Sequence, residues 1–281
     1  MFLLTGLQVL GWALFVTRIL LTRLGGAGDM LMTEPILRAL HDKYAPCYIT
    51  YRTHRHVYDL MLYHPLIDEI LCTRTGCWDP TPEGYDVHVN LHGVIERAPF
   101  GQHGIDAFAE AAGVTLERRQ PKLYLDGTMC PVRTEDDRYP EISHPEIKAP
   151  PTVDISFHIP QEPRNKAWES GRRVISRFME FMDSHGQHPL VRMVGQDHME
   201  PGRSHMLKMA NEIQCSRLFV GPDSGGFHIA AALGVPTVAS FTNRFPAKMR
   251  SYPKVVAAGD DLDEVFALTL ALHRKNNRNG N

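Results

Sequence analysis

The stretch RLFVGPDSGGFHIAAALGVPTVASF, residues 217–241, restricts what this 281-residue chain can fold into more than any other part of it. An apolar run ends at Gly221-Pro222, Asp223 or Ser224 opens a helix, Gly234 closes it, and a second apolar run follows Pro236. Strand, tight turn, helix and strand in so short a span spell a βαβ unit, which requires a parallel sheet with crossover helices. The chain opens in the same way: RILLTRL predicts a strand, GGAGD a turn, MLMTEPILRALHDKY a helix and CYITYRT a strand. Next, HVYDLMLYH predicts a second helix, IDEILC and YDVHVNL short strands, and IDAFAEAAGV a helix ending at Gly113. The alternation resumes at TVDISFHIP, with WESGRRVISRFMEFMDSHG and SHMLKMANEIQC as helices and LVRMVG as a strand. Between the two runs the chain turns polar and Pro-rich, without a sustained period. The expected organisation is an apolar extension over residues 1–17, an N-terminal Rossmann-like domain over 18–130, a linker over 131–151, and a C-terminal Rossmann-like domain over 152–281.

Two strand-to-helix turns carry the residues with chemical potential. At a helix start the free N–H groups and the partial positive charge favour an anion, and Gly225 and Gly226 would let a diphosphate approach the backbone. His228 follows Ser224 by four residues, so both can share a face. The structural alternative is that Asp223 and Ser224 only cap the helix while the glycines serve close packing. In the first turn Asp29 sits near a helix start behind Gly25, Gly26 and Gly28. Its carboxylate reads either as a general base or as a cap. Neither G-x-G-x-x-G nor G-x-x-x-x-G-K-[ST] is present, so the dinucleotide and P-loop fingerprints are not met.

Composition narrows the partners. Thirty Lys and Arg against thirty-two Asp and Glu give a net charge of −2, which provides no overall field for nucleic acid. Five scattered cysteines, an odd number, suit reduced thiols in a cytoplasmic protein. His54 and His56 lack the spacing of a metal motif, and Asp261-Leu262-Asp263 reads as the acidic start of a helix. The first residues, MFLLTGLQVLGWALFVT, have no basic lead and fall short of the ~20 residues of a membrane span. They read as an added helix or a peripheral membrane contact. The basic stretch RFPAKMRSYPK could meet a phosphorylated or lipid-linked acceptor, or be a solvated loop.

RILLTRLGGAGDMLMTEPILRAL and the uninterrupted DSGGFHIAAALGVPT, Asp223 to Thr237, resemble glycosyltransferase family nine, the ADP-heptose:lipopolysaccharide heptosyltransferases. HPLIDEI, IDAFAEAAGV and NKAWE are similar to intermediate pieces of that family, so the resemblance runs from about Arg18 to about Phe241. It implies a GT-B architecture, an acceptor held mainly by the N-terminal domain, and a nucleotide-sugar donor, ADP-linked, held by the C-terminal one. It assigns Asp29 as the base for an inverting transfer, with Gly26 and Gly28 in the acceptor-side loop. Ser224, Gly225 and His228 match the donor diphosphate contacts, beside Gly226. Lys166 matches the lysine that neutralises the leaving diphosphate, and Asp223 is left with capping or a sugar contact. Metal independence, no cofactor, a glycan or lipid-linked acceptor and lipopolysaccharide biosynthesis are likewise implied; the expected location is cytoplasmic, with a peripheral contact at the inner face of the membrane. Glu34, Glu169 and the segment TNRFPAKMRSYP depart from the family pattern. They motivate a second class of function, a nonenzymatic nucleotide or sugar-nucleotide binding protein that keeps the fold.

Overall fold

β1, Thr17–Thr22, shows why the first sheet is interior: Ile19, Leu20 and Leu21 are all buried, so both faces of the strand are covered, as in a parallel sheet flanked by helices. The computed structural model describes residues 16–73, 82–134, 152–158, 166–195, 206–241, 250–253, 255–259 and 261–278. Residues 1–15, Cys77, most of the proposed linker, and residues 159–165 and 242–249 lie outside the described residues. The first sheet contains β1, β2 (Cys47–His54), β3 (Glu69–Thr73), β4 (Val87–Asn90) and β5 (Val132–Thr134), all parallel, in the order β4-β1-β2-β3-β5. The second contains β6 (Ile155–His158), β7 (Val191–Val194), β8 (Phe219–Pro222), β9 (Thr237–Ser240) and β10 (Val255–Ala258), again parallel, in the order β10-β9-β8-β6-β7. The expected pair of Rossmann-like α/β domains is therefore present.

Helices cover the sheets. In the first half they are α1 (Ala27–Leu31), α2 (Glu34–Tyr44), α3 (Val94–Arg97) and α4 (Gly104–Ala112). In the second they are α5 (Lys166–Ser184), α6 (Met206–Gln214), α7 (Gly225–Leu233) and α8 (Leu262–Arg278). The expected ending at Gly113 is seen: this residue takes φ +62° and receives the chain in the left-handed region.

Three local expectations need correction. The helix expected over MLMTEPILRALHDKY is two helices, because Pro35 has no N–H and its ring would meet the carbonyl four residues back; the break falls at Met32–Thr33, where Thr33 Oγ1 donates to the Met30 carbonyl at 2.7 Å. HVYDLMLYH forms only a 3-10 turn, Tyr58–Met61, because its side chains from Val57 to Leu62 are buried all round and present no amphipathic stripe. Val132–Thr134, inside the segment read as linker, is an edge strand too short to show a period. The tail HRKNNRNGN belongs to α8 as far as Arg278. Its first residue, His273, is buried with its ring edge-on to Phe178 at 5.4 Å, completing a stripe with Val265 and Thr269.

The alternation of side chains along β8 and β9 divides the second domain into two cores. Leu218, Val220 and Val238 point into a cluster with Val174, Phe178 and Met182 of α5 and Val265 of α8. Phe219 and Ala239 point the other way, towards α6 and α7, into a cluster that continues without a break into the first domain. Polar contacts cross the same seam. Asp59 Oδ2 accepts from the Leu207 N–H at the start of α6 at 2.9 Å, Gln120 Nε2 donates to the Ala231 carbonyl at 2.8 Å, and the Leu123 N–H donates to the Ala232 carbonyl at 3.2 Å. Glu34, which looked out of place beside Pro35, is fully buried and held by Arg38 Nε at 3.0 Å and by the Lys122 N–H at 3.1 Å. It ties α2 to the segment that reaches across to α7.

Phe178 is fully buried against Phe157 and His273, within the core that belongs to the second domain alone. Phe178→Ala is expected to lower stability by about 3–5 kcal/mol, read from urea unfolding. A loss below about 1 kcal/mol would contradict this packing.

Candidate functional site

In an open α/β sheet, ligands bind beyond the carboxyl ends of the strands where the strand order reverses. In the first sheet β2 lies on one side of β1 and β4 on the other, so the reversal falls at the end of β1, where the chain runs from Arg23 into α1. In the second sheet β7 and β8 flank β6, so the reversal falls between His158, at the end of β6, and the turn from Pro222 to Ser224. Both turns highlighted by the sequence therefore sit at switch points. The two switch points face each other.

The contact between them is close. A Cβ on Gly28 would lie 2.4 Å from His228 Cδ2, and one on Gly225 would lie 3.0 Å from the Ala27 Cβ. Gly26 has open space around it and occupies the N-cap position of α1 with extended backbone. Asp29 lies inside the first turn of α1 and is not its N-cap residue. Its Oδ2 pairs with Arg23 Nη2 at 3.1 Å. Arg23 is almost fully buried, donates from Nη1 to the Leu91 carbonyl at 2.9 Å, and lies over the Phe108 ring. A fixed guanidinium thus orients a carboxylate that keeps some exposure.

Across the seam, Ser224 is the N-cap residue of α7, in extended conformation, but its hydroxyl makes no capping hydrogen bond. It is bonded instead to His158 Nδ1 at 2.9 Å. The capping role considered for Ser224 is not adopted, and Asp223 does not cap either. The Asp223 carboxylate lies 3.4 Å from His228 Nε2 and 3.8 Å from Arg250 Nε. The His228 ring is buried and its Nδ1 lies 2.6 Å from the Tyr252 hydroxyl. Burial, reinforced by the nearby Asp223 charge, holds the Tyr252 pKa well above its ordinary value. The phenol therefore stays protonated, and we assign it as the donor to Nδ1, which directs an Nε2–H at Asp223. The shared face expected for Ser224 and His228 is not realised: one side chain turns to His158, the other to Tyr252 and Gly28.

Residues 201–259, which include the whole α6–α7 region and the Asp223 turn, match the sequence model of glycosyltransferase family 9 (heptosyltransferase). Over this segment the chain is similar to the family 9 glycosyltransferases. No curated protein sequence matches it. Among solved structures, the family 9 glycosyl transferase of Veillonella parvula superposes with a TM-score of 0.60 at 18% identity, covering 86% of this chain and 85% of that one. The E. coli heptosyltransferase WaaC with ADP gives 0.63 at 13% identity, covering 92% and 100%. E. coli ADP-heptose lps heptosyltransferase II gives 0.56 at 12% identity, covering 92% and 99%. At these identities the structures establish the fold, which is GT-B. The expected fold is borne out, and the match over residues 201–259 supports the family resemblance and the enzyme class expected from the sequence.

Of the expected site residues, Gly26, Gly28, Asp29, Asp223, Ser224, Gly225, Gly226 and His228 are brought to the α1–α7 seam. Lys166 opens α5, and its side chain lies outside the described residues. Among the described residues no group of three or more His, Cys, Asp or Glu is placed to hold a metal ion. Asp261 Oδ1 accepts from the Asp263 N–H at 2.9 Å, which is the helix-start role read from the sequence. No helix among the described residues is long and apolar enough to cross a membrane. A cavity of about 710 Å³ lined by Arg172, Arg173 and Arg177 of α5 and by Asp261 and Asp263 lies on the far side of the second sheet from α7.

Residue reasoning missed Arg23, His158 and Tyr252. Position at the end of a parallel strand was an available signal for His158 and Arg23. Tyr252 follows residues 242–249 and gave none. It and Arg250 turn inward, not into the solvated loop considered for this stretch.

Gly28→Ala must displace a ring pinned by Tyr252, so it is expected to cost about 1–3 kcal/mol and to lower the melting temperature. An unchanged melting temperature would show that the ring has room to move. A second expectation concerns pH. Removal from solvent lowers the His158 pKa from 6.5 to about 4. The unfolded ring takes up a proton that the folded ring resists, so stability falls as pH drops from 6.5 towards 4. Denaturant unfolding across that range should show a shallower pH dependence in His158→Asn than in the parent; identical slopes would refute the assignment.

Proposed function

We propose that the enzyme moves a sugar from a nucleoside-diphosphate donor, ADP-linked, to an acceptor hydroxyl with inversion at the anomeric carbon. The observation that carries this reading is the convergence of α1 and α7, which brings Asp29 from one switch point to the uncapped helix start at the other. The N–H groups of Gly225, Gly226 and Phe227 open α7 and are suited to the donor diphosphate. Structures similar in fold contain ADP, in WaaC, and ADP-D-beta-D-heptose, in TibC, which supports a nucleotide-sugar donor and a heptose as the sugar to test first.

In the proposed reaction Asp29, oriented by Arg23, removes the proton of the acceptor hydroxyl as its oxygen attacks the anomeric carbon. The bond from that carbon to the diphosphate oxygen breaks, and the nucleoside diphosphate departs with the electron pair. Negative charge grows on the diphosphate, where the α7 start and Lys166 would stabilise it. His228 and Tyr252 hold Asp223 beside the turn and so preserve its shape. The acceptor, a glycan or lipid-linked glycan at the inner face of the membrane, would enter from the side of Gly26, the glycine of the α1 turn with free space around it.

Asp29→Asn keeps size and removes the base. Transfer from ADP-heptose to a lipopolysaccharide core acceptor is expected to fall about 10²–10⁴-fold with ADP affinity unchanged by calorimetry. Undiminished transfer would reject Asp29 as base. ADP binding by the parent without turnover on any acceptor would favour the nonenzymatic binding protein.

A further inference from the structure

His158 lies at the switch point of the second sheet, at the end of β6, and its ring is enclosed by backbone. A Cβ on Gly195 would lie 2.9 Å from its Cδ2, one on Gly226 3.1 Å from its Cγ, and one on Gly221 3.3 Å from its Cβ. Glycines from β8, from α7 and from the end of β7 thus leave a slot that the imidazole fills. Its one hydrogen bond to a described side chain is to Ser224.

That bond matters because of where Ser224 sits. A serine at an N-cap position normally turns its hydroxyl back onto the N–H groups of the first turn and satisfies one of them. Here the backbone is in the capping conformation, φ −154° and ψ 174°, yet no capping bond forms. The hydroxyl is bonded to a ring that remains uncharged at neutral pH, because its surroundings exclude water. Whichever of the two groups donates, the hydroxyl is committed to the ring and the helix start stays open.

We infer that His158 is a positioning residue of the donor site: it holds the Ser224 hydroxyl off the first turn of α7 and so keeps those amides available to a diphosphate. An uncharged ring does this without adding a fixed charge beside the anion. When His158 is lost, Ser224 is free to cap α7, and the helix start is satisfied internally before any donor arrives. The inference rests on the donor reading above.

Calorimetric titration with ADP tests it on the full-length protein, using His158→Ala, His158→Asn, Ser224→Ala and the double variant H158A/S224A. His158→Ala is expected to weaken ADP binding about tenfold, the scale of a serine cap. His158→Asn, whose amide can reach Ser224 from the position of Nδ1, should stay within about twofold of the parent. Because His158 acts through Ser224, the double variant should bind as Ser224→Ala does. A loss of equal size on adding His158→Ala to either background would overturn the inference, as would an Asn variant as weak as the Ala variant. If His158→Ala does not fold, His158→Leu fills the slot without a hydrogen bond and serves in the same comparison. A parent protein that does not bind ADP would instead refute the donor reading, and this inference with it.

Discussion

The seam between α1 and α7 is the contact on which the rest of the structure depends. Gly28 approaches the His228 ring so closely that no side chain fits between them, and Ala27 meets Gly225 in the same way. Close approach of two helix starts at two switch points needs small residues on both sides, and the chain supplies Gly-Ala-Gly on one and Ser-Gly-Gly on the other. The apolar cluster then forms around that contact. Phe227 and Ile229 of α7, Met30 and Leu31 of α1 and Tyr58 of the 3-10 turn belong to one continuous core. A two-domain fold with a shared core on one face of its second sheet places the two turns relative to each other by packing, not by a linker.

This arrangement explains why the architecture could be read from the chain while much of the site could not. Strand and helix periods are local, so both alternating runs and the Gly113 and Gly234 endings are visible in the residues themselves. The stretch from Asp223 to Thr237 is also local, and it located one half of the site. Arg23 could not be assigned from its neighbours, since its partners Asp29, Leu91 and Phe108 come from three elements of the first domain. His158 and Ser224 are 66 positions apart and meet only because β6 and β8 are adjacent. Buried residues that act on another side chain across the sheet leave no spacing to detect. The same reason hid the 3-10 turn, whose apolar residues fill the gap between domains and obey no helical period.

Asp29 and Asp223 illustrate how one residue type acquires two environments. The first is paired with an almost fully buried arginine and retains exposure towards the seam. The second is largely enclosed, facing His228 and Arg250. A carboxylate at a helix start reads as a cap in sequence, yet neither residue caps. Their neighbours decide their roles: Arg23 reaches Asp29 from the end of β1, and Asp223 faces His228 of the helix that follows it and the sequence-distant Arg250.

The site also holds several features that stability alone would not select. Ser224 forgoes a cap worth about 0.5–2 kcal/mol. His228 Nε2 and Asp223 Oδ1 are buried and face each other at 3.4 Å without a well-formed hydrogen bond. A buried polar atom left in that state costs about 1–3 kcal/mol. Three glycines line the His158 slot where larger residues would have packed a core. All of these features gather around the α7 start. The surrounding core is continuous, and the bonds from Asp59, Gln120 and Leu123 brace α6 and α7 from the first domain. The unfavourable groups are therefore gathered where the two switch points meet, and the continuous core around them fixes the α7 start against α1.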